Sequence, residues 1–361
     1  MAQTMEWAFV ILKLTTRCNL SCVYCSEPHR DTGCTVDDRV LGRFIEVIQS
    51  LRPRRLDILM TGGEVLSIPE SRLADIFVRL SALKGTLNHV RLNLQTNGTL
   101  ITPSICDLLR RHEVKIGVSI DLPRDVHDTA RVTSRGGTWK DVTAGIRMLK
   151  RENLNFGILT VMSAQNAGRL QSVYSGMKRL GCGNAKFIVY SPSGVGKQVG
   201  ERYSVGLSLG KVMTKLFDLW ASDDSDFRLH PYVSVVRGLL TGSCGLCEYS
   251  ANTCSHIFAI AADGTILPCA RAEAIPGLQF GSILDGHARA HIMRAMLCKQ
   301  ERSAYLRRRN CKGCEFFAIC SGGCFIEAVI QNGEAYSRTP QCAANRQLFS
   351  HVKNALQGTP A

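Results

Sequence analysis

Between residues 7 and 190, short runs of apolar and β-branched residues alternate with longer stretches of helical periodicity. This alternation predicts repeated βα units around a parallel sheet, an α/β fold. The predicted strands are 7–14, 56–60, 90–95, 115–120, 156–161 and 186–190. Six strands are too few for a closed eight-stranded barrel, so we expect a partial (β/α)6 barrel. Its functional loops should follow the carboxyl ends of the strands.

The stretches between the strands carry apolar residues three and four positions apart, as amphipathic helices do. One such face comprises Val36, Val40, Phe44, Val47, Ile48 and Leu51. Pro69 and Pro103 should lie in first helical turns, where proline is favoured. A Ser/Gly/Pro-rich stretch at 191–200 predicts a loop, and a helix is expected around 209–220.

Sixteen cysteines in a chain of 361 residues constrain the chemistry further. The first 30 residues lack a secretory signal, and no apolar run approaches the roughly 20 residues of a membrane span. We therefore expect a cytoplasmic protein, whose cysteines serve metal or redox chemistry and not disulfides. Three of them are Cys18, Cys22 and Cys25, and ten lie between Cys244 and Cys342, which predicts two separate sites.

This distribution also predicts how the chain is divided. Residues 1–192 should form the partial barrel, 193–243 a connector, and 244–361 a small domain organised around metal, because regular periodicity fades there as cysteine and glycine increase.

The first three cysteines stand in the sequence TTRCNLSCVYC, directly after the first predicted strand. A loop this short can hold one [4Fe-4S] cluster, and three thiolates leave one iron open to a substrate or cofactor. A zinc site with His29 as the fourth ligand is the alternative.

This C-x3-C-x2-C spacing at the end of a first βα strand resembles the radical SAM superfamily, in which S-adenosylmethionine (SAM) chelates the open iron. Three further segments resemble that family's SAM-binding motifs: TGGE at 61–64, NLQTNG at 93–98 and GVSID at 117–121. The resemblance implies that SAM is contacted by Gly62, Gly63, Glu64, Asn97, Ser119 and Arg131. Tyr24 would either pack on the adenine of SAM or have only a structural packing role within the protein. Taken singly, each position could also reflect ordinary turn chemistry.

The C-terminal cysteines resemble the SPASM domain in spacing, with C-x2-C-x5-C-x3-C beginning at Cys311. The resemblance implies two auxiliary [4Fe-4S] clusters, and so three clusters in all. The first would be held by Cys254, Cys269, Cys324 and either Cys247 or Cys244, and the second by Cys311, Cys314, Cys320 and Cys342. A zinc site on Cys244, Cys247, Cys311 and Cys314 is the alternative, but it leaves the other five cysteines of the pattern unexplained.

Two families of SPASM enzymes have sequence motifs similar to those of this chain: anaerobic sulfatase-maturing enzymes and enzymes that crosslink ribosomally made peptides. In the first family an acidic base typically follows the cysteine that matches Cys269, whereas here Ala270 and Arg271 follow it. We therefore expect oxidative crosslinking of precursor-peptide side chains, as in a cyclophane or thioether, with formylglycine formation as the alternative. Val65 after the GGE motif leaves the subfamily open.

The net charge of +14 is compatible with several partners. The basic runs 52–55 and 307–309 are not interleaved with stacking aromatics, which speaks against a zinc-dependent nucleic-acid module. The charge would suit an acidic leader peptide and an acidic flavodoxin or ferredoxin as electron donor. About a dozen residues precede the first catalytic loop. We therefore expect a separate peptide-recognition protein or direct leader binding.

Overall fold

The computed structural model describes residues 5–27 and 33–358. A single nine-stranded sheet runs through the molecule in the order β11-β10-β1-β2-β3-β4-β7-β8-β9, and a separate hairpin pairs β5 with β6. The strands are β1 (Trp7–Thr15), β2 (Arg55–Gly62), β3 (His89–Thr96), β4 (Lys115–Ser119), β5 (Val132–Thr133), β6 (Gly136–Gly137), β7 (Phe156–Met162), β8 (Asn184–Val189), β9 (Arg228–His230), β10 (Ile257–Ile260) and β11 (Ile266–Leu267).

All six predicted strands are confirmed as β1, β2, β3, β4, β7 and β8. They lie side by side in chain order, and all of their pairings are parallel. Sequence reasoning missed the outer strands: β9 pairs with β8, β10 pairs with β1, and β11 runs antiparallel to β10. Each of these has only two to four residues, too few to show a period.

The helices that connect the parallel strands pack on one face of the sheet, and further helices follow the last strand. They are α1 (Asp38–Leu51), α2 (Glu70–Ser81), α3 (Pro103–Arg111), α4 (Arg124–Ala130), α5 (Trp139–Arg151), α6 (Leu170–Arg179), α7 (Leu209–Ala221), α8 (Tyr232–Thr241), α9 (Ala251–Cys254), α10 (Ala288–Arg308), α11 (Phe317–Cys320), α12 (Phe325–Asn332) and α13 (Cys342–Leu356). Short 3-10 helices span Val65–Ser67, Ala82–Gly85, Gly194–Arg202, Gly206–Ser208 and Ala270–Ala272.

The predicted helix signals are largely confirmed. Every member of the apolar face that begins at Val36 is buried, and Asp37 caps α1 by accepting a 2.7 Å hydrogen bond from the Val40 amide. Pro103 is the first residue of α3, behind the capping side chain of Thr102. Pro69 is the N-cap of α2 and not part of its first turn, because its ψ of 136° is extended.

The opposite face of the sheet is more polar. Leu59, Asn93, Gln95, Gly117 and Lys186 alternate with the helix-facing residues and line a cavity of about 990 Å³. This cavity opens at the amino ends of β4, β7 and β8, away from the cysteine-bearing end of β1. Among the described residues, no helix has the length and apolar character needed to cross a membrane.

Candidate active site

The thiol loop (residues 16–25) leaves the carboxyl end of β1 and lies directly on the glycine pair that ends β2. The Gly63 amide donates to the Thr15 carbonyl at 2.7 Å, and the Glu64 amide donates to the Arg17 carbonyl at 2.7 Å. A Cβ atom on Gly62 would lie 2.1 Å from the Thr15 oxygen, and one on Gly63 would lie 2.1 Å from the Arg17 oxygen. The two glycines are therefore required for the close approach of the thiol loop.

This packing predicts that adding a single methyl group at Gly63 strongly destabilises the fold. In Gly63→Ala the new methyl group meets backbone atoms that cannot rotate away, so we expect a loss of at least about 2 kcal/mol in the free energy of unfolding. Gly85→Ala is the matched control, because nothing lies within 4 Å of a Cβ there. Urea denaturation measures both variants, and an equal stability of the two would contradict this packing.

The three thiols of the loop lie close to one another. Burial raises the pKa of Cys18 to about 12, and the neighbouring Glu64, Cys22 and Cys25 contribute to the rise. Within residues 5–27 and 33–358, no three or more His, Cys, Asp or Glu side chains are arranged to hold a single metal ion. A [4Fe-4S] cluster makes a different demand, because each of its thiolates binds a separate iron.

Glu64 and Asn97, two of the predicted SAM contacts, connect the ends of β2 and β3 to this loop. Glu64 is 1% exposed and accepts hydrogen bonds from the Leu66 amide, the Thr96 hydroxyl and the Asn97 amide at 2.9, 2.7 and 2.6 Å. Burial raises its pKa, although these hydrogen bonds oppose the rise. The Asn97 side chain donates to Asn19 of the thiol loop at 2.8 Å.

Of the remaining predicted contacts, Ser119 ends β4, Arg131 follows α4, and Tyr24 belongs to the thiol loop. The Arg131 guanidinium donates to Asp121 at 3.1 Å and lies 5.5 Å from the centre of the Tyr24 ring, whose hydroxyl also donates to Asp121. Burial lowers the pKa of Arg131, but Tyr24, Asp121 and Cys22 outweigh it and leave the pKa raised. Ser119 accepts a hydrogen bond from Gln95 at 2.7 Å. Arg131 is thus held near the thiols and paired with an acid.

The first of two C-terminal thiol groups (the first group) comprises Cys247, Cys254, Cys269 and Cys324. Burial raises the pKa of Cys254 to about 12, with Cys324 and Cys269 contributing. Burial also raises the pKa of Cys247, where Cys254 and Cys324 act in the same direction. Cys244, the predicted alternative, is 1% exposed and lies in the apolar core. Cys247 is therefore near enough to Cys254 and Cys324 for their charges to act on it, whereas Cys244 packs in the core.

The second group comprises Cys311, Cys314, Cys320 and Cys342. Burial raises the pKa of Cys320 to about 12, and the other three thiols all contribute to the rise. Cys311 and Cys314 line a cavity of about 540 Å³, and Cys342 lines another of about 450 Å³. Cys320 is thus near enough to the other three thiols for their charges to act on it, and the assignment of each set of four to a [4Fe-4S] cluster stays a prediction.

Comparison with known proteins matches the part of the chain that carries the thiol loop. Residues 12–174 match the model of the radical SAM superfamily. The chain carries a radical SAM domain. It is 24% identical over 339 residues to a cysteine-type anaerobic sulfatase-maturating enzyme of Clostridium perfringens. The aligned region covers 88% of this chain and 88% of that protein.

Two solved structures share the fold of this chain. Native anSMEcpe with bound AdoMet and Cp18Cys peptide has a TM-score of 0.82 at 22% identity, covering 97% of this chain and 98% of that one. SuiB of Streptococcus suis bound to precursor peptide SuiA has a TM-score of 0.63 at 14% identity, covering 92% and 75%. At these identities the likeness shows the fold alone. The predicted fold class, a partial barrel followed by a SPASM domain, is confirmed.

A buried ion-pair network that sequence reasoning missed lies next to the radical SAM thiols. Lys13, near the end of β1, is 1% exposed and binds Glu27 at 2.5 Å and also Glu273. Burial lowers the pKa of Lys13, but the two carboxylates outweigh it, so its pKa is raised. Since Glu273 follows Cys269 by four residues, this network joins the barrel to the first group. No sequence motif marks it, because its members are distant along the chain.

The stretch predicted only as a loop, 191–200, also contributes to the radical SAM site. The Gly196 amide donates to the Cys25 carbonyl at 2.7 Å, and a Cβ on Gly196 would lie 2.5 Å from the Tyr24 oxygen. Gly194 has a φ of 55°, and a Cβ atom on this residue would also clash with the backbone of Ser26. These glycines allow the connector to cover the thiol loop, which their spacing alone could not reveal.

A buried histidine beside Asp121 predicts a pH dependence of stability in the radical SAM domain. His127 is 0% exposed and accepts from the Asp121 amide at 3.1 Å. Burial, followed by the Arg131 charge, lowers its pKa to about 4. An unfolded histidine binds a proton below about pH 6.5 while the folded one stays neutral, so stability falls as the pH drops from about 6.5 towards 4.

We expect this histidine to remove about 2 kcal/mol from the free energy of unfolding between about pH 7.5 and pH 5. Urea denaturation of the wild type and His127→Gln at both pH values measures the effect, and the decrease should be smaller in the variant. His89→Gln, at an exposed position, should retain the full decrease. An identical pH response in all three proteins would contradict the assignment.

The remaining four thiols belong to none of the three groups described above. Cys106 and Cys182 are buried in the core, whereas Cys34 and Cys298 are only partly buried. Cys298 lies near Cys254 of the first group. His29, the fourth ligand of the zinc alternative, lies outside the described residues.

Proposed function

We propose that this radical SAM enzyme binds SAM and three [4Fe-4S] clusters and oxidises side chains of a peptide substrate. The observation that supports this proposal is that the charges acting on Cys18, Cys254 and Cys320 include, in each case, those of other thiols of the same proposed set. A set of three leaves one iron for SAM, and the sets of four complete their clusters.

Cys18, Cys22 and Cys25 would hold the SAM-cleaving cluster, with the first and second groups holding the auxiliary clusters. When bound, the first cluster and SAM supply a 5'-deoxyadenosyl radical that removes hydrogen from carbon. Gly62, Gly63 and Asn97 position the thiol loop for this purpose, and Glu64 lies beside Cys18 to receive the SAM ammonium. Tyr24, Ser119 and Arg131 complete the proposed SAM site.

For the product of this oxidation, we propose a crosslink between two side chains of a ribosomally made precursor peptide. Its support is Arg271, which occupies the region where the resemblance predicts an acidic base. Arg271 pairs with Glu327, which is 5% exposed, and donates to the Cys324 thiol at 3.5 Å. This arrangement fixes a cation beside the first group and pairs it with the carboxylate of Glu327.

A crosslink conserves all atoms except two hydrogens. One hydrogen leaves with the deoxyadenosyl radical, and the other leaves as a proton and an electron. The auxiliary clusters would provide an acceptor for that electron. The proposed substrate class agrees with SuiB, whose structure was solved with a precursor peptide.

Formylglycine formation is the second candidate, because the C. perfringens relative is named a sulfatase-maturating enzyme. Glu273 and Glu27 favour it structurally, since they place two carboxylates beside the thiol loop on the polar side of β1. Either carboxylate could accept a proton in place of the acid that is missing after Cys269.

Mass spectrometry distinguishes the two candidates. The anaerobically reconstituted enzyme, with SAM and dithionite, is incubated with any short peptide found to be encoded beside its gene and with cysteine and serine sulfatase peptides. A crosslink lowers the peptide mass by two hydrogen atoms and leaves nothing that reacts with a hydrazide. Formylglycine reacts with the hydrazide. A hydrazide adduct would overturn the crosslinking proposal, and unmodified peptides in every reaction would overturn peptide oxidation.

For partners, we propose an acidic flavodoxin or ferredoxin as electron donor and a separate recognition protein or direct binding for the leader. The net charge of +14 supports electrostatic attraction to both. Raising the salt concentration should weaken their binding, and binding insensitive to salt would contradict this explanation.

A further inference from the structure

Helix α10 (Ala288–Arg308) buries two cations, Lys299 and Arg302, on one face. They are three residues apart, so their side chains lie one above the other, and each side chain is only 2% exposed. Across residues 5–27 and 33–358, neither cation lies within 4 Å of a carboxylate oxygen. This is unusual, because a buried charge without a counter-charge destabilises a fold strongly.

Both cations are instead surrounded by backbone carbonyls from the segments that carry the C-terminal thiols. The Lys299 ammonium donates to the carbonyls of Cys254 at 3.2 Å and Pro268 at 2.8 Å, and also to that of Ile257. It therefore joins the chain at Cys254 to the chain directly before Cys269, two members of the first group.

Arg302 lies between the two groups. Its guanidinium donates to the carbonyls of Gly322 at 3.0 Å, Gly323 at 2.8 Å and Ser337 at 2.7 Å. Gly322 and Gly323 belong to the short segment that leads from Cys320 of the second group to Cys324 of the first. The thiols near enough to act on the charge of Arg302 come from both groups: Cys324, Cys254, Cys311 and Cys320.

The other cations near the first group differ from these two. Lys186 is paired with Glu248 and Arg271 with Glu327, so each already has a carboxylate. Carbonyl oxygens solvate an ammonium or guanidinium but carry no net negative charge. The thiolate-ligated clusters, which are anionic, would supply the negative charge that balances Lys299 and Arg302.

We propose that Lys299 and Arg302 are the counter-charges of the auxiliary clusters, with Lys299 serving the first and Arg302 shared by both. This inference rests on the proposed function, because it requires the two clusters. Since net charge near a cluster sets its reduction potential, these cations raise the potentials of both clusters and favour acceptance of an electron.

The test uses a parent in which Cys18, Cys22 and Cys25 are replaced by alanine, so that only auxiliary clusters contribute to the signal. Lys299→Met and Arg302→Met remove one buried charge each. Arg308→Met, at an exposed position of the same helix, removes one charge without touching either group. Iron content, midpoint potentials from redox titration followed by electron paramagnetic resonance, and melting temperatures with and without iron are measured.

We expect Lys299→Met to lower the midpoint potential of one cluster, or to lose its roughly four irons, and Arg302→Met to affect both clusters. In both variants the difference in melting temperature between iron-loaded and iron-free protein should shrink. A role in hydrogen bonding alone would lower the two temperatures equally. Arg308→Met should match the parent.

The outcomes separate this inference from the proposed function. A parent without about eight irons would refute the proposed clusters themselves. A parent with those irons, combined with buried-cation variants whose potentials and melting differences equal those of Arg308→Met, would overturn only the counter-charge role.

Should both methionine variants fail to fold, wild-type protein still gives an answer. Removing iron leaves the two charges uncompensated, so amide hydrogen exchange in α10 should increase far more than in α1. Equal increases in the two helices would overturn the proposal.

Discussion

Replacing Cys18, Cys22 or Cys25 by alanine should reduce 5'-deoxyadenosine formation to the level of iron-free protein. Each variant removes one of three thiolates from a single loop, and two thiolates cannot hold a cluster while leaving one iron open for SAM. The backbone of the loop is held independently, through Gly63 and Asn97, so the variants should fold. Chromatography of the anaerobic reaction with SAM and dithionite measures the nucleoside.

Cys182→Ala is the matched control for this prediction. Cys182 is a buried thiol that belongs to none of the three groups, so its loss should leave deoxyadenosine formation intact. If any single variant in the thiol loop retained wild-type nucleoside yield, the assignment of the SAM-cleaving cluster to these residues would be wrong.

Sequence reasoning predicted the six central strands because each has enough residues to show its period and is followed by an amphipathic helix. It also identified the cysteine pattern that begins at Cys311, whereas the division of the C-terminal thiols into two sets of four was implied by the resemblance and stays a prediction. The strands β9 and β10 were missed because they are too short to show a period. They become strands only through pairing with β8 and β1, which is a tertiary effect.

The charged parts of the site could not be predicted from local pattern. Lys13 meets Glu273 across 260 residues of sequence, and such a pairing has no periodic signal. Lys299 stands in a helix whose sequence is charged throughout, so its burial depends on where the helix docks. The predicted division of the chain at residues 192 and 243 stays a prediction, although β9 and β10 join the sheet from beyond the first of these boundaries.

Replacing an auxiliary ligand should separate SAM cleavage from product formation. Cys254→Ala in the first group and Cys314→Ala in the second should each lose about four of about twelve irons and form little or no modified peptide. Deoxyadenosine formation should continue in both, because all three thiols of the thiol loop are retained and neither Cys254 nor Cys314 belongs to that loop. This combination distinguishes an auxiliary role from a general loss of folding.

The choice between Cys244 and Cys247 completes this prediction. Cys247 lies beside Cys254 and Cys324, so Cys247→Ala should behave like Cys254→Ala. Cys244 packs against Gly238 in the core, so Cys244→Ala should keep full iron content and product and lose only a modest amount of stability, on the order of 1 kcal/mol. Iron analysis and peptide mass spectrometry on the two variants decide the matter. A loss of iron from Cys244→Ala with none from Cys247→Ala would reverse the assignment.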